Sequence, residues 1–190
     1  MSEDHNRLTL PANADFWVFG YGSLMWKPGF PHVEVRHARV RGYHRRLCVR
    51  SIYHRGTPDR PGLVFGLDRG GSCRGLAYRV PAAEGETAME YLYRRELVTS
   101  AYRPAWVTLE SAEGGLRAAG FVVDRTHQYY AGHLDPAELA AIVVRCQGES
   151  GHNRDYLVST VRHLEALGLG DPKLRHLLDL VEAMGGDVER

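Results

Sequence analysis

The sequence predicts an α+β fold, rich in sheet through its first two thirds and helical in its last third. Three observations carry this reading. Short apolar runs bounded by glycine turns recur up to Val123, the apolar period switches to helical spacing once after Pro81, and Asp-Pro helix starts mark the last third.

Taken in order, Phe16 to Gly20 is an apolar run ending at a glycine-flanked turn, as a buried strand does where it stops at a loop; the loop is Gly20 to Met25. Extended segments follow near Ala38 to Arg50 and Gly62 to Leu67. The turn-rich Asp68-Arg69-Gly70-Gly71-Ser72 then precedes a further run, Gly75 to Val80, so the last two runs are expected to form a hairpin. Beyond Pro81, Met89, Leu92, Tyr93 and Glu96 stand at i, i+3, i+4 and i+7, one face of a helix. Arg103 to Leu109 and Leu116 to Val123 flank the turn Ser111 to Gly115 and predict another hairpin. Asp135-Pro136 and Asp171-Pro172 combine a cap with a first-turn proline, Asn153 to Leu167 reads as a helix between them, and Gly185-Gly186 is a stop after Leu177, Leu180, Val181 and Met184.

A length of 190 residues suits one domain with a real core. No repeat or composition break divides the chain, so one domain over residues 14–185 is expected, with flexible ends at 1–13 and 186–190. Hydrophobic residues make up 44% and charged residues 25%, ordinary globular values. No apolar run approaches the roughly 20 residues of a membrane span, and Met1 to Arg7 is polar, unlike a signal sequence; the expectation is a cytoplasmic protein with no membrane partner. Cys48, Cys73 and Cys146 form no Cys-x-x-Cys pair, and the ten histidines lack helix-face metal spacing, so no disulfide framework and no metal site are expected. The net charge is +1, but Arg36, Arg39, Arg41, Arg45, Arg46, Arg50, Arg55 and Arg60 make one stretch basic. A solvated strand face, an anion site and a nucleic-acid surface all fit that stretch; no nucleic-acid recognition signature accompanies it, and nucleic acid is not expected as a partner.

Phosphate-loop and dinucleotide fingerprints are absent, because Gly20-Tyr21-Gly22 lacks a third glycine. Ser23 lacks the flanking glycines of a hydrolase elbow, since Tyr21 and Met25 occupy those places. Gly20-Tyr21-Gly22-Ser23-Leu24 instead offers a strand end whose backbone N–H groups can approach a carboxylate, although taken alone it reads better as a plain strand-to-loop turn with a core-packed Tyr21. Glu96 lies on the buried stripe of its helix, where burial raises a carboxyl pKa toward that of a usable base; a structural ion pair with Arg94, Arg95 or Arg103 is the alternative.

The run Trp17-Val18-Phe19-Gly20-Tyr21-Gly22-Ser23-Leu24-Met25-Trp26-Lys27-Pro28-Gly29-Phe30-Pro31 resembles the opening of the ChaC family of γ-glutamylcyclotransferases. Further resemblances follow in the family's order: Arg41-Gly42-Tyr43-His44-Arg45-Arg46, His54-Arg55-Gly56-Thr57-Pro58, Gly75 to Pro81, Tyr91-Leu92-Tyr93-Arg94-Arg95-Glu96, and Gly148-Glu149-Ser150-Gly151-His152-Asn153 before Tyr156-Leu157. Together they span roughly Trp17 to Leu167.

The resemblance implies a small mixed β-barrel with surrounding helices. It implies an enzyme that cleaves a γ-glutamyl peptide substrate, glutathione, to 5-oxoproline and cysteinylglycine by attack of the substrate's own α-amine, without a cofactor. Glu96 is then the general base, and Gly20, Tyr21, Gly22, Ser23, Leu24 and Met25 bind the substrate. Tyr156 is the favoured phenolic donor among Tyr21, Tyr129, Tyr130 and Tyr156, whereas Asn153 reads as a helix N-cap. Arg50, with Ser51 and Arg55, is expected at the far end of the substrate, where a guanidinium suits a carboxylate. Two departures from the family's pattern, Cys48-Val49-Arg50-Ser51-Ile52-Tyr53 and Leu97-Val98-Thr99-Ser100-Ala101-Tyr102, bear on the leaving group and not on the chemistry. The alternatives are a cyclotransferase for other γ-glutamyl amino acids or amines, and a non-catalytic binding or regulatory protein of the same fold.

Overall fold

A computed structural model describes residues 7–185. The strands are β1 (Phe16–Gly20), β2 (Glu34–Ser51), β3 (Gly62–Val80), β4 (Tyr102–Ser111) and β5 (Gly114–Val123), with helix α1 (Gly85–Glu96) between β3 and β4. Helices α2 (Pro136–Arg145), α3 (Asn153–Ala166) and α4 (Pro172–Gly185) follow, with the two-residue strands β6 (Gln147–Gly148) and β7 (Gly151–His152) before α3. The chain divides into two compact units, one of Met1–Arg46 with Gly66–His127 and the other of Leu47–Phe65 with Gln128–Arg190, each taken here over its described residues.

In the first unit the strands close into a barrel in the order β1-β3-β2-β4-β5. Antiparallel β1–β3 pairing runs from Phe16 opposite Val80 to Gly20 opposite Leu76, and β1 lies parallel to β5 at Trp17–Ala118, which closes the ring. Inward-facing Phe19, Val40, Leu67, Ala77, Leu109 and Ala118 fill the interior. Their alternation along each strand is the reason the apolar runs read as strands. The expected hairpin of β4 and β5 is present, in register from Tyr102–Val123 to Ser111–Gly114. On α1 the predicted face, Met89, Leu92 and Tyr93, is buried.

The expected hairpin between Gly62 to Leu67 and Gly75 to Val80 is not. Residues Gly62–Val80 form one 19-residue strand. Gly70 and Gly71 do have turn-like dihedrals, with φ of 102° and 67°, and the four residues from Arg69 to Ser72 are exposed. What carries the strand through them is its neighbour β2, itself 18 residues long, whose His44 ring nitrogen Nδ1 lies 2.9 Å from the Gly70 carbonyl. Glycines inside a paired strand mark an irregularity of that strand when a partner spans them.

The basic stretch is largely paired in this unit. Arg36 meets Glu34 at 2.5 Å, Arg41 meets Glu110 at 2.6 Å, and Arg46 and Arg125 flank the buried Asp68 at 3.6 and 2.6 Å. Several of these acids lie far off in sequence.

In the second unit α2, α3 and α4 pack on one another through Val143, Leu157, Val161, Leu164, Leu177 and Val181, all buried. Asp135 caps α2 as expected and forms a full capping box, accepting from Glu138 N at 2.8 Å while the Glu138 carboxylate accepts from Asp135 N at 3.0 Å. The Asp171 carboxylate likewise receives Lys173 N at 3.0 Å at the start of α4. Helix α4 is described to Gly185; the expected stop at Gly186 lies outside the described residues. Of the expected flexible ends, residues 1–6 and 186–190 lie outside them too, while Leu8 N donates to the Tyr93 hydroxyl at 2.8 Å.

Asn153 is not the N-cap. His152 holds that position, and Asn153 is the first helical residue and fully buried. Its Oδ1 accepts from Leu63 N at 2.6 Å and its Nδ2 donates to Leu63 O at 2.8 Å, so the amide does what a neighbouring strand would do for β3. Asn153→Leu leaves a buried N–H and a buried carbonyl without partners and should cost roughly 2–4 kcal/mol. Urea unfolding measures this, and a midpoint equal to the parent's would show that the clamp contributes nothing.

Candidate active site

The loop after β1 winds into a short 3-10 turn, Ser23–Met25, in which Met25 N donates to Gly22 O at 2.9 Å and Lys27 N to Ser23 O at 2.9 Å. No side chain caps this turn, and its leading N–H groups have no acceptor within it. Gly22 faces open space: a Cβ added there would meet nothing within 4 Å. The predicted site residues of this loop therefore divide. Gly22 and Ser23 are partly exposed at the turn, whereas Gly20, Tyr21, Leu24 and Met25 are buried. The Tyr21 hydroxyl donates to Phe121 O at 3.0 Å, so this tyrosine anchors the loop from within the core.

Two residues that the sequence did not single out hold the loop in place. The buried Arg45 guanidinium donates to Tyr21 O and, at 2.7 Å, to Arg74 O. Tyr78 offers its hydroxyl to Leu24 O and Met25 O, each at 3.0 Å, and burial pushes its pKa up to about 12, so it stays protonated as a donor. Tyr78 sits within a strand-like apolar run, and nothing in its spacing distinguishes it from core filler.

Glu96 ends α1, with 18% of its side chain exposed. Burial pushes its carboxyl above the ordinary carboxylate range, and the adjacent Arg95 guanidinium, 3.2 Å from Oε1, pulls the other way without cancelling that effect. Both readings of Glu96 thus meet in one residue, a recessed carboxyl of raised proton affinity that also carries an ion pair. Arg95 is the main residue that sequence reasoning underrated, since it stood there only as one of three cations near Glu96. Its Nη2 donates to the Ser23 hydroxyl at 2.8 Å, and its Nη1 donates to Lys27 O at 2.7 Å and to the Tyr91 hydroxyl at 2.9 Å. The i, i+4 spacing of Tyr91 and Arg95 was the available signal.

Tyr156 and Arg50 belong to the second unit. There the Tyr156 hydroxyl accepts from Phe65 N at 3.3 Å, and Arg50 N donates to Tyr129 O at 2.8 Å. Arg55 turns its guanidinium over the Tyr156 ring and donates to Ser150 O at 2.5 Å.

The profile of ChaC-like proteins matches residues 16–184. The chain belongs to the ChaC-like family. Among its relatives in that family, the glutathione-specific γ-glutamylcyclotransferase of Escherichia coli is 34% identical over 175 residues, covering 92% of this chain and 76% of the relative. The mouse glutathione-specific γ-glutamylcyclotransferase 1 is 35% identical over 89% of this chain and 78% of its own length. The crystal structure of a glutathione-specific γ-glutamyl cyclotransferase from yeast superposes with a TM-score of 0.81 at 22% identity, over 90% of this chain and all of the yeast one, and bears out the expected α+β barrel fold. Among the described residues no cluster of side chains could hold a metal ion, and no helix is long and apolar enough to cross a membrane.

Gly29 lies at φ 76°, and a Cβ there would sit 2.0 Å from the Tyr91 hydroxyl. Gly29→Ala should therefore cost about 2 kcal/mol, read by thermal or urea unfolding. A second expectation concerns pH. Because the Glu96 carboxyl pKa is raised on folding, the folded chain keeps this proton to higher pH than the unfolded chain, and the group's contribution to stability falls as pH rises from the unfolded value, ordinarily about 4.3, through the folded one. Glu96→Gln removes that titration. The stability of the variant relative to the parent should rise as pH increases above the unfolded carboxyl value, and a relative fall would mean that the ion pair outweighs burial.

Proposed function

We propose that this chain is a glutathione-specific γ-glutamylcyclotransferase that releases 5-oxoproline and cysteinylglycine, with Glu96 as general base. The observation that carries the reading is the recessed Glu96 carboxyl of raised proton affinity, linked through Arg95 to the Gly20–Met25 loop. The names of the relatives supply the substrate class.

The chemistry asks for three things: a folded γ-glutamyl arm, removal of an ammonium proton and stabilisation of an oxyanion. Glu96 takes the proton from the substrate's α-ammonium group. The freed amine attacks the γ-carbonyl carbon, and the new C–N bond closes a five-membered ring while the carbonyl oxygen becomes an oxyanion. Collapse of that intermediate breaks the γ-peptide C–N bond: the proton held by Glu96 goes to the departing nitrogen, and the ring nitrogen, which carries two hydrogens after the attack, gives up one of them through Glu96 to the same nitrogen, leaving the lactam N–H and the ammonium group of cysteinylglycine. Atoms balance without water, metal or cofactor. The leading N–H groups of the turn, with the Ser23 hydroxyl, bind the α-carboxylate or the oxyanion. A cytoplasmic location fits the three buried cysteines, which remain as thiols.

The leaving group is the part of this reading with a rival. One similar relative, an Arabidopsis protein 34% identical over 86% of this chain, is named γ-glutamylcyclotransferase 2-3 without mention of glutathione, and residues 48–53 depart from the pattern of many members. The test is to incubate the protein, and Glu96→Gln beside it, with reduced glutathione and a set of γ-glutamyl amino acids, and to follow 5-oxoproline and the released amine by mass spectrometry. The expected outcome is release of 5-oxoproline and cysteinylglycine from glutathione by the parent, with turnover lowered at least a hundredfold in Glu96→Gln. Release from γ-glutamyl amino acids alone would move the assignment to the broader activity, and full activity of the Gln variant would remove Glu96 as the base.

A further inference from the structure

We propose that Arg95 is a positioning residue of the reaction, one guanidinium that ties the Glu96 carboxylate to the substrate-holding loop and fixes their mutual geometry. The inference rests on the reading of Glu96 as the base. Its ground is the distribution of the donors. Nε faces Glu96 Oε1 at 3.2 Å, Nη2 gives a hydrogen bond of 2.8 Å to the Ser23 hydroxyl, and Nη1 reaches Lys27 O at 2.7 Å, Pro28 O at 3.4 Å and the Tyr91 hydroxyl at 2.9 Å. All three guanidinium nitrogens are thus engaged, on three targets: the carboxylate, the two ends of the loop's turn, and the preceding turn of α1.

The other cations that lie near Glu96 in sequence face elsewhere. Arg94 Nε donates to Glu90 O at 3.4 Å, and Arg103 pairs with Asp124 at 3.4 Å. Arg95 is also the charged group that acts on the Glu96 carboxyl, lowering its proton affinity against the larger effect of burial. With only 20% of its side chain exposed, the guanidinium is held by packing and hydrogen bonds in one place. Tyr91 supports it from below, and Gly29 leaves the space that the Tyr91 hydroxyl fills. Lysine cannot replace this arrangement: a single ammonium supplies the charge but lacks the planar fork needed to hold carboxylate and loop together.

The test compares Arg95→Gln, Arg95→Lys and Glu96→Gln with the parent, by the pH dependence of kcat/KM for glutathione and by carbon-13 titration of the Glu96 side-chain carboxyl, whose resonance Glu96→Gln identifies. In Arg95→Gln the acid limb and the carboxyl titration should both move to higher pH, because the neighbouring cation is gone, and KM should rise roughly tenfold, because the loop has lost charge-assisted hydrogen bonds. Arg95→Lys should bring the titration back toward the parent's while KM stays high. The carboxyl titration is read on the folded protein even if Arg95→Gln turns over no substrate. An unshifted titration in Arg95→Gln overturns the proposal, and so does full recovery of KM in Arg95→Lys, which would make Arg95 a charge and not a tie. If Glu96→Gln keeps the parent's turnover, the base assignment itself fails; if Glu96→Gln is inactive while Arg95→Gln behaves as the parent, only the role of Arg95 is lost.

Discussion

A carboxyl recessed at the C-terminal end of a helix is expensive, and the first unit is arranged around holding one there. Glu96 loses hydration and lies where the helix macrodipole also disfavours negative charge, so both effects favour the protonated form. Arg95 offsets part of that cost from one residue away on the same helix. Burial wins over the cation, so the proton affinity of this carboxyl stays above that of an exposed glutamate. The guanidinium that lowers the proton affinity of Glu96 also donates to the Ser23 hydroxyl of the Gly20–Met25 loop, so proton affinity and loop geometry share one cause.

The loop itself is short of its own interactions. A three-residue 3-10 turn has few internal hydrogen bonds, and its shape depends on bonds to the strands: the loop's own Tyr21 hydroxyl donates to Phe121 O on β5, Tyr78 donates to the carbonyls of Leu24 and Met25, and Arg45 donates to Tyr21 O. These contacts join residues up to a hundred positions apart. They occupy the side chains and carbonyls on the inner surface of the loop and leave Gly22 facing open space. Buried polar side chains therefore support the turn from inside the barrel, with each hydroxyl and guanidinium given a backbone acceptor.

Long-range partners decide other features in the same way. The glycine pair at positions 70 and 71 has the dihedrals of a turn, yet the chain runs on as one strand because β2 is long enough to pair along it. Asn153 is a residue type suited to a cap, yet it lies one position inside α3 with its amide committed to both backbone groups of Leu63, a buried, bidentate contact that outweighs a solvent-exposed cap. The arginines of β2 look like a basic stretch until Asp68, Glu110 and Glu113 are folded against them.

What the sequence by itself determined was whatever depends on local periodicity and local chemistry. The strand at Phe16–Gly20, the β4–β5 hairpin, the face of α1 that carries Glu96, and the Asp-Pro starts of α2 and α4 all follow from alternation, helical spacing or capping within a few residues. The motif around Gly22 and Ser23 and the position of Glu96 were legible for the same reason. Tertiary structure alone decided which of three arginines pairs with Glu96, that Tyr21 supports the loop from the core, that Tyr78 and Arg45 hold it, and that β3 does not turn at its glycines. Each of these depends on a partner brought close by barrel closure, and the spacing of residues along one segment carries no record of the atom that will face it from another.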